Sequence, residues 1–162
     1  VDGRLLVIGD GPLRQSLLNE RSALGLGCRV EFIGESQNEE TSPCYYAADG
    51  YVLPSIARSE AFGIVQIEAM AAGCPVINTS LDSGVPYVSL DGVTGLTVPP
   101  CDEKKLASAI NTLLDNDELR RQFGTAARER AKLEFSQQRM VERTLDVYEQ
   151  VLKRSDSMLM HE

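Results

Sequence analysis

Five short apolar runs, separated by helical patterns or by turns, constrain this chain more than any other feature. They lie at 4–8, 29–33, 50–53, 75–78 and 96–98, with helix-like segments at 13–24, 43–48 and 64–72 between them. Such alternation is the sign of a parallel α/β sheet. Each run is apolar through its middle, as expected of strands covered on both faces. After the last run the pattern becomes wholly helical. Asp102 can cap a helix whose Leu106, Ile110, Leu113 and Leu114 form one apolar stripe. Asp117 can cap a second helix, to about residue 130, and Ser136 a third, to about residue 153. No repeat and no Gly-, Ser- or Pro-rich linker interrupts the chain. The expectation is one doubly wound parallel sheet with a helical C-terminal extension over 1–154, followed by a disordered tail at 155–162.

In such sheets ligands bind beyond the carboxyl ends of the strands, where loops and helix N-termini converge. The loops to watch are 9–12, 34–41, 54–63 and 79–86. Composition narrows what they could bind. The 162 residues carry a formal net charge of -8, with no Lys/Arg cluster longer than a pair. Nucleic acid and anionic membrane surfaces, which reward concentrated positive charge, are poor partners for such a segment. No apolar run approaches the ~20 residues of a membrane-spanning helix, and 1–8 reads as a strand rather than a secretory leader. Cys28, Cys44, Cys74 and Cys101 stand far apart, and the sole histidine, His161, lies near the end. Neither a zinc site nor a disulfide scaffold fits that spacing. Four reduced thiols are expected, Cys74 as a packed small side chain.

Gly9-Asp10-Gly11-Pro12 follows a strand and opens a helix. Its glycines permit a tight turn, and Pro12 suits a first helical position. A dinucleotide-binding loop would need a third glycine where Arg14 stands, and an acidic residue at a strand end, whereas Glu31 lies inside its strand. A plain turn, or a turn near a ligand phosphate, fits better. Segment 59–77, SEAFGIVQIEAMAAGCPVI, carries more information. Phe62-Gly63-Ile64 marks a helix start, where unbonded N–H groups and the dipole favour an anion. Glu68 follows one turn inside, on the face of Ile64 and Ala72. A carboxylate there can accept from the vicinal hydroxyls of a ribose. Glu60 and Glu68 could instead be solvated charges on an ordinary helix. A glycosidase carboxylate pair is a third reading, and it lacks the second domain or flanking aromatics that would hold a sugar.

The spacing Glu60-x7-Glu68, inside EAFGIVQIEAMAAGCPV, resembles the motif of the retaining glycosyltransferases of family 4, which have the two-Rossmann GT-B fold. Further blocks follow in the family's order: VIGDGP at 7–12, VEFIG at 30–34, YYAADGYVLPS at 45–55, DGVTGLTVPP at 91–100 and FGTAARERA at 123–131. The resemblance covers about 5–153 and implies a Rossmann-like, donor-binding C-terminal lobe. By that resemblance Glu68 binds the donor ribose and Glu60 approaches the sugar as the catalytic carboxylate. The N–H groups of Phe62, Gly63 and Ile64 meet the sugar and distal phosphate. Gly34, Glu35 and Ser36 lie against the base, and Gly9 and Gly11 border the donor.

The resemblance also implies an activity: metal-independent, cofactor-free transfer of a hexose from a nucleoside-diphosphate sugar to a glycan, lipid or small molecule, as in polysaccharide biosynthesis. The acceptor attacks from the face the leaving group departs, so configuration is kept without a protein nucleophile. Two departures stand out. Ser83-Gly84-Val85-Pro86-Tyr87 lacks the acidic residue usual at the end of that turn. In the family, basic residues that hold the pyrophosphate precede the first strand here, and an acceptor-binding N-terminal lobe precedes those. The segment is therefore expected to be a lobe of a larger cytoplasmic polypeptide and inactive alone, with any membrane contact made through the other lobe. A non-catalytic nucleotide-sugar-binding or regulatory module is the alternative.

Overall fold

The computed structural model describes residues 3–35 and 38–159. The five strands fall where the apolar runs place them: β1 (Leu5–Ile8), β2 (Val30–Gly34), β3 (Tyr51–Leu53), β4 (Val76–Thr79) and β5 (Gly95–Val98). Every ladder among them is parallel. Hydrogen bonding divides them into two ribbons, β1-β2 and β3-β4-β5. Between and after them run α1 (Arg14–Ala23), α2 (Asn38–Ala47), α3 (Ile64–Ala72), α4 (Val85–Val88), α5 (Glu103–Leu114), α6 (Asp117–Glu134) and α7 (Gln137–Leu159).

Strand β4 shows why this is a doubly covered sheet. Its four residues are all buried, and successive side chains point to opposite faces. Val76 joins a cluster with Ala69, Met70, Val88, Ala127 and Ala131, from α3, α4 and α6. Ile77, the next residue, joins Val98, Ala109, Leu113 and Phe123, from β5, α5 and α6. The other ribbon departs from expectation. Leu5 (51% exposed), Leu6 (41%) and Ile33 (52%) leave β1 and β2 far less covered, and α1, the helix between them, has no buried residue.

Helix boundaries depart from the sequence reading in physically interpretable ways. Pro43 lies inside α2, not at its start; it removes one intrahelical bond, on an exposed turn that tolerates the loss. Asn116, not Asp117, caps α6, its side chain accepting from the Leu119 N–H at 2.9 Å. Asp117 is left to pair with Arg120 at 2.5 Å. Asp102 and Ser136 cap as expected, accepting from the N–H groups of Lys105 and Arg139. Helices α6 and α7 outrun their expected ends, since neither Gly nor Pro follows to stop them. α7 thus continues to Leu159, into the stretch read as tail. Among the described residues no helix is long and apolar enough to cross a membrane.

Side chains from α6 tie the layers together at the helix ends. Arg128 donates to the Ala72 carbonyl at 2.6 Å, completing the last turn of α3. Arg120 donates to the carbonyls of Leu113 and Leu114 at the end of α5, and pairs with Asp49 ahead of β3. Cations at helix C-termini oppose the macrodipole as well as satisfying the orphan carbonyls.

Candidate functional site

The loop from β3 to α3 carries the first glutamate and is held from beneath. Thr79, ending β4, donates its hydroxyl to the Ser55 carbonyl at 2.6 Å. Ser55 in turn donates from Oγ to Oε2 of Glu60 at 3.5 Å, and the Glu60 N–H reaches the Ala57 carbonyl at 3.1 Å. Glu60 is half-buried as a result. Arg58 and Asp82 face each other at 3.3 Å across the loops after β3 and β4. Both are exposed, so this pair adds little.

Phe62 turns its ring inward, edge-on to Phe135 with centroids 5.9 Å apart. Ala61 and Ile64 on either side are exposed, while Gly63 between them is buried. Gly63 is the N-cap of α3, at φ 70° and ψ 61°. A Cβ there would come within 2.7 Å of Leu53 Cδ2 and Gln66 Nε2, so the backbone turn and the tight contact both demand glycine. No side chain caps α3, and its first turn has no acidic residue. The amides of Ile64 and Val65 have no acceptor within the helix, and the positive end of its dipole is uncompensated. Such an end can receive an anion.

Glu68 lies one turn further along α3, exposed, and it has a partner that sequence reading did not assign. Tyr45 of α2 donates its phenolic hydroxyl to Glu68 Oε2 at 3.2 Å. Burial and the Glu68 charge push the Tyr45 hydroxyl up to about 12. Tyr51 of β3 packs edge-on against Tyr45 at 5.7 Å. Its hydroxyl is raised too, by burial first and then by the fields of Tyr45, Glu60 and Glu68. Both glutamates thus act on the same buried phenol. Beside Glu68 opens a cavity of about 280 Å³ lined by Ser42, Tyr45, Tyr46, Glu68, Ala71 and Ala72.

A buried polar network fixes the frame. Gln66, fully buried on α3, donates to the Phe62 carbonyl at 3.1 Å and accepts from Asn78 Nδ2 at 2.9 Å. Asn78 Nδ2 also lies near the carbonyls of Val85 and Ser89, and Thr97 donates to its Oδ1 at 2.7 Å. One set of amides therefore joins the start of α3, the turn at α4, and strands β4 and β5. The missed signal is a glutamine at a core position of an otherwise apolar face, three and four residues before Ala69 and Met70.

The divergent turn 83–87 supports the motif from behind. The Gly84 N–H donates to the Ala61 carbonyl at 2.7 Å. A Cβ at Gly84 would meet that oxygen at 2.8 Å and Phe62 Cδ2 at 2.7 Å. Tyr87, standing where an acidic residue is usual, sits under the Arg130 guanidinium at 5.3 Å and edge-on to Phe135.

Glu60, Phe62, Gly63, Ile64 and Glu68 therefore gather around the start of α3. Gly9, Gly11, Gly34 and Glu35 gather at the end of the other ribbon. There the Gly9 N–H donates to the Gly34 carbonyl at 2.7 Å. The Asp10 carboxylate accepts from the Gly11 N–H at 2.7 Å, so that amide is already occupied. Ser36 and His161 lie outside the described residues. Cys74 is buried, with its thiol pushed up to about 12 by burial and by Asp49, the packed residue expected.

Residues 2–130 match the family described as glycosyl transferases group 1. O-antigen chain mannosyltransferase C of Escherichia coli is 30% identical over 149 residues, covering 92% of this chain and 40% of that protein. Sucrose-phosphate synthase from Thermosynechococcus elongatus superposes with a TM-score of 0.82 at 33% identity, over 94% of this chain and 39% of that one. Anabaena HepE, solved in complex with UDP-glucose, gives 0.75 at 26% identity, over 95% and 41%. The chain thus spans about two fifths of the length of these relatives.

Proposed function

This chain belongs to the group 1 glycosyl transferases, and from that membership we propose that it is the donor-binding lobe of a metal-independent, retaining hexosyltransferase. The carrying observation is the uncapped start of α3, with Glu60 in the loop before it and Glu68 one turn inside. In this reading the first-turn amides receive the distal phosphate and the sugar, and the exposed carboxylate of Glu68 accepts from the ribose hydroxyls. Glu60, oriented by Ser55, faces the sugar. Binding of UDP-glucose by a relative of the same fold supports a nucleoside-diphosphate sugar as donor. In this reading the acceptor is positioned against the anomeric carbon by residues other than those around α3.

Proton NMR of the product formed by the full-length protein tests this reading. The transferred sugar should keep the donor's anomeric configuration, and Glu60→Gln should lower kcat on the order of a hundredfold or more with donor affinity little changed. An inverted product, or a Glu60→Gln variant with normal turnover, would overturn it.

A further inference from the structure

We infer that Tyr45 is a positioning residue for the ribose of the donor, holding one oxygen of Glu68 so that the other faces the incoming hydroxyls. The inference rests on the reading of Glu68 as the ribose ligand and adds a residue on a different helix. Glu68 is exposed and otherwise free to sample several rotamers, which would weaken a two-point contact with a diol. Tyr45 has no such freedom. Its ring is wedged edge-on against Tyr51 and packs on the cluster around Ala69, Met70 and Cys74. The phenolic hydroxyl is therefore a fixed donor on a rigid element, and it takes Oε2 at 3.2 Å. A carboxylate has about four acceptor sites, so Oε1 and the second lone pair of Oε2 stay available for vicinal hydroxyls. The phenol ionises only near 12, which keeps it a donor at neutral pH. The cavity of about 280 Å³ flanking the pair lies at the small end of ligand pockets, ~300 Å³, a size that suits a pentose.

Tyr45→Phe in the full-length protein keeps the ring and removes only the donor. Affinities are measured for UDP, GDP and ADP and for the 2′,3′-dideoxy form of whichever binds best. The variant should lose about three- to tenfold for the ribose form, with no change for the dideoxy form. Glu68→Ala, run in parallel, should abolish the preference for ribose over dideoxyribose altogether. If Glu68→Ala abolishes that preference and Tyr45→Phe leaves it intact, the role of Tyr45 is overturned while that of Glu68 stands. If Tyr45→Phe weakens both forms equally, the tyrosine is only a packing residue and the inference is overturned. If Glu68→Ala leaves the preference unchanged, both assignments are overturned.

Discussion

At Gly63 the demands of conformation and space coincide. The left-handed backbone there costs a residue with a Cβ roughly 1–2 kcal/mol, and the contacts with Leu53 and Gln66 leave no room for one. Gly63→Ala should lower stability by about 2 kcal/mol or more and should disturb the amides proposed to face the donor. A urea midpoint equal to the wild type would show that neither constraint operates. Three acids raised by burial, Cys74, Tyr51 and the half-buried Tyr45, give a pH signature. Tyr45 and Cys74 both ionise near 12 in the folded chain, against ordinary values of 10.0 and 9.0. The folded state holds these protons more tightly, so stability is complete below pH 9 and falls as pH rises through 9 to 12. Urea midpoints followed from neutral pH into that range should decline, and Cys74→Ala should postpone the onset toward the tyrosine range. A flat profile would mean that none of the three groups is desolvated as described. That Glu60, Gly63 and Glu68 gather around the start of α3 is legible from the sequence because their spacing is a local pattern. Tyr45 is not, because its role depends on α2 packing beside α3, twenty-three residues away in the chain.

Among the elements, β3, β4 and β5 are legible because their runs are short and apolar, β4 being buried along its whole length, and because α3 begins at a glycine and ends at one. α4 escapes notice: four residues are too few to show a period, although Pro86 is well placed at its start. Also hidden are the contacts by which arginines of α6 close the ends of α3 and α5, since they join residues far apart in sequence. The amide network at β4 makes a prediction at this scale. Asn78→Ala would leave the buried Gln66 Oε1 and the part-buried Thr97 hydroxyl without their partner. It should cost about 1–3 kcal/mol, and it should weaken donor binding as well, because Gln66 holds the Phe62 carbonyl. Lost stability with unchanged donor affinity would detach the network from the site.

For the whole molecule, the sequence pattern identifies the parallel class and the order of elements, and the structure adds that the ladders run in two ribbons. The exposed apolar residues of β1 and β2 explain the difference. Their runs read as covered strands, but apolar composition reports only what a strand can bury, not what lies over it. The charge distribution bears on the donor. Magnesium sites for nucleotides use one or two carboxylates together with the phosphates, whereas the proposed reading gives Glu60 to the sugar and Glu68 to the ribose, leaving neither against the pyrophosphate. Donor affinity should therefore be the same with magnesium and with excess EDTA, and a loss of more than about tenfold in EDTA would assign the metal a part. In the proposed reading Glu68 and the start of α3 bind a nucleoside-diphosphate sugar. Calorimetry of the full-length protein with UDP-, GDP- and ADP-sugars, for wild type and Glu68→Ala, tests it most directly. One nucleotide class should bind, and Glu68→Ala should weaken it by about 2 kcal/mol, on the order of thirtyfold, with an unchanged circular dichroism spectrum. Equal affinity in the two proteins, or no binding by any member of the panel, would contradict it.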